Sequence, residues 1–470
     1  MIDTTGKTPM CRAFFATVAI WMIAAHGLLA GDVKVGAAAA NIDADDSMVI
    51  GGGIGPGKAT GQEGELRAVA VVLEKPATAA QDTATSANAA APSTRIAIVA
   101  CDVLFVTADF VDRALARIEQ STGIPPDHVL VNATHTHHAP TTATVHGYQR
   151  EESFVRRVED AIVASVEKAH ANLEGGDSTF LFKLGHERTV GANSRVLLAD
   201  NTIWWTGPMK DAVRHTGPFD PELPVMAFRG ADDHLRAVLY NHATHTIGSR
   251  AANVRSPSFY GLAAQELEGE LGAVVSFLEG ASGSTHNITA VPVDEAVRRM
   301  KRAVRDALAQ AQPHAVTRLA SIKRPFEFKV RTFDEQTEDD KVARYCRKRI
   351  PPHADEVITV FRAMREKLSP QQGQSRNTVL QAVAIGDVAI VGVPAEYFTI
   401  FGVDIKRRSP FEHTVVAELA NDWIGYLPNL EAHQFGGYQT WMGLHSYAEP
   451  GTGERVADQI VDMLEELKQR

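Results

Sequence analysis

The chain has 470 residues, 44% of them hydrophobic and 22% charged, with a formal net charge of -10. That size and balance exclude a disordered, collagen-like or polytopic membrane protein, and the negative charge argues against a nucleic-acid partner. The 18 histidines stand beside only 3 cysteines, so a metal site here has to be built from imidazole and carboxylate, not thiolate.

Residues 1–30 carry Lys7 and Arg12, an apolar stretch from Ala13 to Ala25, and a small-residue end at Ala30. This is the layout of a secretory signal peptide cleaved after Ala30, and its apolar stretch is shorter than the ~20 residues a membrane-spanning helix needs. An exported protein (periplasmic, secreted or cell-surface) is expected, with no transmembrane segment after cleavage. Cys101, in an apolar run, and Cys346, in a polar one, are expected as free thiols.

The runs RAVAVVLE and RIAIVACDVLFV predict strands buried on both faces, joined by an Ala/Thr/Ser-rich surface loop over 76–95. ADFVDRALARIEQSTG predicts an amphipathic helix stopped by Gly123, followed by the strand HVLVNATHTH. A second helix carries Val155, Val158, Ile162, Val166 and Ala169 on one stripe. Strands at PVMAFRG, HLRAVLYNHATHT and AVVSFLEG then alternate with helices at FYGLAAQELEGELG and VDEAVRRMKRAVRDALAQAQ. The charged stretch 337–368 predicts a helical insertion or lid, after which TVLQAVAIGDVAIVGVPAE and HTVVAELANDWIGYLP resume the sheet. This alternation predicts an α/β fold with a mixed sheet.

Chemistry-bearing residues gather where apolar runs turn polar. In Asn132-Ala133-Thr134-His135-Thr136-His137, an extended backbone points His135 and His137 the same way. They could be two ligands, a ligand and a general base, or hydrogen-bonded residues of a polar loop. His245 ends a second such run, Glu396 a third and Tyr426 a fourth. If these ends converge, two imidazoles and a carboxylate suit Zn²⁺, with a further oxygen ligand and a position open for water.

The order of the motifs VGAAAANI, LRAVAVVLE, NATHTHHAP, GPFDPE, NHATHT, FLEGASGSTHN, VPAEYF and NDWIGYLP resembles the neutral/alkaline, non-lysosomal ceramidase family, especially its shorter exported bacterial members. The resemblance implies one ceramidase-like catalytic domain over 31–470 and one zinc ion per chain. His135, His245, Glu396 and Tyr426 fall on the family's metal ligands. His137 falls on its proton-transfer histidine and Tyr438 on a tyrosine that holds the substrate amide oxygen. The chain stops where ceramidases continue into a C-terminal immunoglobulin-like domain. His286 stands where the family has an active-site serine, and Arg195 is displaced by one position from an arginine near the substrate; both are candidate substrate contacts, and His286 reads equally as a polar loop residue. The expected activity is hydrolysis of an amide, of an N-acyl lipid or another small acyl amide. A zinc esterase or lactonase, or a metal-retaining binding protein without catalysis, are the alternatives.

Overall fold

The computed structural model describes residues 33–76, 93–175 and 177–470. The expected signal peptide and nearly all of the 76–95 loop lie outside the described residues. The runs flanking that loop, Arg67–Lys75 and Thr94–Cys101, pair antiparallel from Ala68↔Cys101 to Lys75↔Thr94. Their Ala, Val and Ile side chains are buried on both faces, which is why neither run alternates with polar residues.

The larger sheet runs in the order Val274–Glu279, Leu235–His242, Glu222–Gly230, Asp177–His186, Val33–Asn41, Arg67–Lys75, Thr94–Cys101, Val129–Ala133. The first and last pairs of this order are parallel and the rest antiparallel. A twist of roughly 20–25° between neighbours, accumulated along the order, turns the two edges toward each other. They meet where Asn132, on one edge strand, accepts a hydrogen bond from the Glu279 N–H on the other (2.9 Å).

A second sheet, Leu319–Lys329, Ser375–Ile385, Val388–Gly392 and His413–Ala417, covers the inner face. Its Val383, Ile390 and Val415 pack with Ile98, Leu130 and Leu239. Helices cover the outer faces. Ala108–Thr122 and Glu152–Ala171 bury Phe110, Leu115, Val158 and Ile162 among Ala70, Val99 and Val131. Ser258–Leu271 and Val293–Leu308 cover the other half of the large sheet, and Thr399–Arg408 and Thr452–Gln469 cover the second sheet. The architecture is mixed α/β. Gly123 ends the first helix in the left-handed conformation (φ 72°), its N–H bonded to Glu119 O, as a residue without Cβ allows.

The charged stretch is a helix pair, Glu335–Arg349 and Ala354–Leu368, whose Val342, Cys346, Ile358 and Phe361 pack beside Tyr148 and Trp441. Cys101 and Cys346 are buried and free, Cys346 because its otherwise polar helix turns one face to the core. Among the described residues no helix is long and apolar enough to cross a membrane.

Two strands end earlier than the sequence predicts, at Ala133 and His242. His135 has φ 59°, so strand alternation does not aim His135 and His137. The backbone leaves the ladder because its N–H groups find partners elsewhere: Thr134 donates to Cys101 O (2.8 Å) and His137 to Thr246 O (3.2 Å).

Candidate metal centre

The asparagine of each histidine motif gathers strand ends. Asn132 accepts from Glu279 N and donates through Nδ2 to Glu418 O. Asn241 Nδ2 donates to Leu278 O (2.8 Å) and Val416 O (3.0 Å). Buried amides must find such partners, so these two tie both sheets together just below the histidines. Glu396 and Tyr426 lie directly opposite each other in a short parallel pair, Glu396–Tyr397 with Tyr426–Leu427. Gly283 lets the 280–284 loop pass beside this pair, since a Cβ there would stand 2.4 Å from Glu396 O.

His135, His137 and His245 place ring nitrogens within 4.8 Å of one another. Each turns Nδ1 to a backbone carbonyl: His135 to Leu104 (3.0 Å), His137 to Gly52 (2.8 Å) and His245 to Ser282 (3.0 Å). A carbonyl can only accept, so the proton sits on Nδ1 and each Nε2 presents a lone pair, as metal-ligating histidines are commonly held. The Nε2 atoms of His135 and His137 face each other at 3.3 Å. Two facing acceptors are repulsive unless a cation lies between or beside them.

Glu396 Oε2 stands 3.7 Å from His135 Nε2 and 3.6 Å from His245 Nε2, and the Tyr426 hydroxyl is 3.1 Å from His245 Nε2. Ligand atoms at 2.0–2.1 Å from a tetrahedral ion are about 3.4 Å apart, so the donor set fits one metal ion. Glu396 Oε1 accepts from Trp423 Nε1 (3.1 Å), and Trp423 stacks on Phe105 (4.0 Å between centroids), which orients the carboxylate.

Burial, with His245 nearby, pushes the His135 imidazolium down to about 3. Burial takes His245 to about 4 and His137 well below its ordinary value, and it raises the Glu396 carboxyl. All three rings are therefore neutral near pH 7, the state that binds a metal.

Exposure divides the candidate residues. His135, His245, Glu396 and Tyr426 are buried, whereas His137, His286 and Tyr438 are half-buried. His286, on the short strand Thr285–Asn287, stacks on His245 (4.5 Å between centroids). The Tyr438 ring lies between Trp205 (4.7 Å, 4°) and His445 (4.8 Å, 26°), with its hydroxyl 3.0 Å from His146 Nε2.

Arg195 is not brought to the cluster. Its buried guanidinium donates to Gln439 Oε1 (2.9 Å), Gly436 O (2.7 Å) and Ala432 O (3.2 Å). It underpins the segment that carries Tyr438.

Three residues near the site escaped the sequence reading. Glu418 accepts from Ser282 N (2.9 Å), Ser282 Oγ (2.6 Å) and Tyr397 N (2.6 Å), joining the His245 support to the residue after Glu396. Glu279 accepts from Thr246 Oγ1 (2.8 Å). Both are carboxylates at the ends of apolar runs, the signal that singled out Glu396. His146 had no such signal: it is a lone histidine in a polar loop, at φ 50°.

No protein-family model and no curated protein matches the chain. Among solved structures, the chain is similar to the neutral ceramidase from Pseudomonas aeruginosa, with a TM-score of 0.71 and 19% identity over 94% of this chain and 75% of that one. It is similar also to a ceramidase complexed with C2, with a TM-score of 0.70 and 18% identity over 94% and 76%. The chain has the fold of these ceramidases.

Proposed function

We propose that the chain is an exported zinc-dependent hydrolase that cleaves an amide bond, of an N-acyl lipid or a related acyl amide. The observation that carries this reading is the convergence of three backbone-oriented histidines with Glu396 and Tyr426, flanked by the half-buried His286 and Tyr438, in a ceramidase fold. Residues 31–470 are read as one catalytic domain behind a cleaved signal peptide.

His135, His245, Glu396 and Tyr426 would hold the ion. Zinc bound there would supply a Lewis acid for the amide carbonyl and would lower the pKa of a bound water. His137, fixed by Gly52 O with Nε2 free, takes the proton of the attacking water and passes it to the leaving nitrogen. Tyr438, oriented by His146 and by its two flanking rings, donates to the carbonyl oxygen as negative charge develops. His286 stands where the resemblance would place a serine, so ceramide itself is not the assigned substrate. An ester or lactone carbonyl would meet the same groups.

Metal analysis of the purified protein, coupled to a panel of N-acyl amides and esters, tests the reading. Zinc near one per chain, with turnover abolished by Glu396→Ala, supports it. Bound zinc with ligand-dependent stabilisation but no turnover selects the non-catalytic alternative. Protein that retains no metal at neutral pH overturns both.

A further inference from the structure

A cavity of about 460 Å³ opens beside the segment that carries Tyr438, with Gly436, Gly437, Thr440 and Trp441 forming one wall and the helix Glu335–Arg349 another. The chain as a whole is acidic, yet five lysine and arginine side chains line this cavity against only two acids, Asp200 and Glu338. Both acids are already committed. Glu338 pairs with Lys341 (2.7 Å), and Asp200 pairs with Lys348 and with Arg349 (3.3 Å).

Two guanidinium groups are left over. Arg344 makes no ion pair among the described residues and lies exposed on its helix. Arg331 is half-buried, and its side chain's hydrogen bonds go to His433 Nδ1 (3.4 Å) and Met442 Sδ (3.4 Å), neither of them an anion; Glu338, already paired with Lys341, acts on it only at longer range than an ion pair. Its Nε is buried without an acceptor. A guanidinium withdrawn from water in this way is costly until an oxyanion reaches it, and its planar fork matches a carboxylate or phosphate. His433, which also lines the cavity, is kept neutral by burial and by Arg331, its value down at about 4. With Nδ1 facing the Arg331 N–H, its Nε2–H remains as a further donor.

We propose that this cavity is a binding site for an oxyanionic group, a carboxylate or a phosphate, held by Arg331 and Arg344. Two sources share that chemistry: a free anion, or the acidic end of an acyl amide such as an N-acyl amino acid whose amide lies at the neighbouring metal centre. The second source rests on the amide-hydrolase reading, whereas anion binding itself does not.

The test uses the full mature chain. Inorganic phosphate is titrated by calorimetry and by thermal melting into wild type, Arg331→Gln and Arg344→Gln. Arg344 is exposed, so its substitution reads the site without threatening the fold, and Arg331→Lys controls for packing at the other position. Saturable phosphate binding in wild type, weakened at least tenfold in both glutamine variants and by added salt, is expected. A second arm compares an N-acyl glycine with its neutral glycinamide counterpart. A KM raised at least tenfold by Arg344→Gln for the acid alone assigns the site to the substrate. Phosphate binding without that difference assigns it to a free anion. No phosphate binding in wild type, or binding indifferent to both glutamine substitutions, overturns the proposal whether or not the protein hydrolyses amides.

Discussion

Replacing His137 with alanine separates its two possible employments. Its Nε2 is 3.3 Å from His135 Nε2, a spacing that suits a metal ligand and a neighbouring base equally. What distinguishes it is exposure: His135, His245, Glu396 and Tyr426 are buried and complete a four-donor set, while His137 is half-buried. As a base it contributes 10²–10⁴-fold to turnover, about 3–5 kcal/mol of barrier. The structural loss is smaller. The Gly52 carbonyl forfeits one hydrogen bond (2.8 Å), a cost of about 1 kcal/mol at a half-buried position. The assay measures zinc per chain and hydrolysis of an N-acyl amide on the same preparations of wild type, His137→Ala and His135→Ala. His137→Ala is expected to keep its zinc and lose at least a hundredfold in kcat, while His135→Ala loses the metal. Equal metal loss in the two variants, or undiminished turnover in His137→Ala, would refute the assignment.

Tyr438→Phe keeps the ring stacked on Trp205 and His445 but removes the hydroxyl, so kcat should fall about 10²–10³-fold with metal content unchanged; parallel metal loss in that variant would count against the oxyanion role. Gly283→Ala places a Cβ 2.4 Å from Glu396 O and 2.6 Å from its carbonyl carbon. Neither is a side-chain atom that can rotate away, so a melting temperature several degrees lower and faster zinc loss to a chelator are expected, and wild-type behaviour in both would show the loop to be slack. The metal-free protein should lose stability on acidification. Seven buried or half-buried histidines, His135, His137, His146, His245, His286, His433 and His445, have folded values below the ordinary one, so the unfolded chain takes protons first. Their contribution is complete above pH about 6.5 and is lost as the pH falls toward their lowered folded values, about 4 for His245, His433 and His445 and about 3 for His135, each histidine adding up to about 1.4 kcal/mol per pH unit. The raised carboxyls of Asp102, Glu279, Glu396, Glu418 and Asp422 act in the opposite sense but are fewer. Thermal melts from pH 7 to 5 check the sign, and a rising melting temperature on acidification would contradict it.

Much of the fold was legible because it depends on local pattern. The doubly buried runs on either side of the 76–95 loop pair as neighbours. The helices at 108–122, 152–171 and 293–308 follow their apolar stripes, while the helix at 258–271 is buried on all sides over its first two turns. The errors fall at strand ends, where hydrogen-bond partners lie far along the chain. Thr134 turns to Cys101 and Asn132 to Glu279 and Glu418, and no period in NATHTH records those partners. Arg195 reads as a candidate substrate contact because it stands one position from an arginine of the resembled family, whereas its partners, Gln439 and Gly436, are more than 200 residues away.

The sequence by itself determined which residue types could do chemistry and where the apolar runs delivered them. His135, His137, His245, Glu396 and Tyr426 each stand where such a run turns polar, and local hydrophobic period marks those positions. Only the tertiary structure decided that the ends meet. The accumulated twist of the large sheet, closed by Asn132 and Asn241, brings four distant segments to one point. There, backbone carbonyls that no sequence motif specifies fix which nitrogen of each ring faces inward.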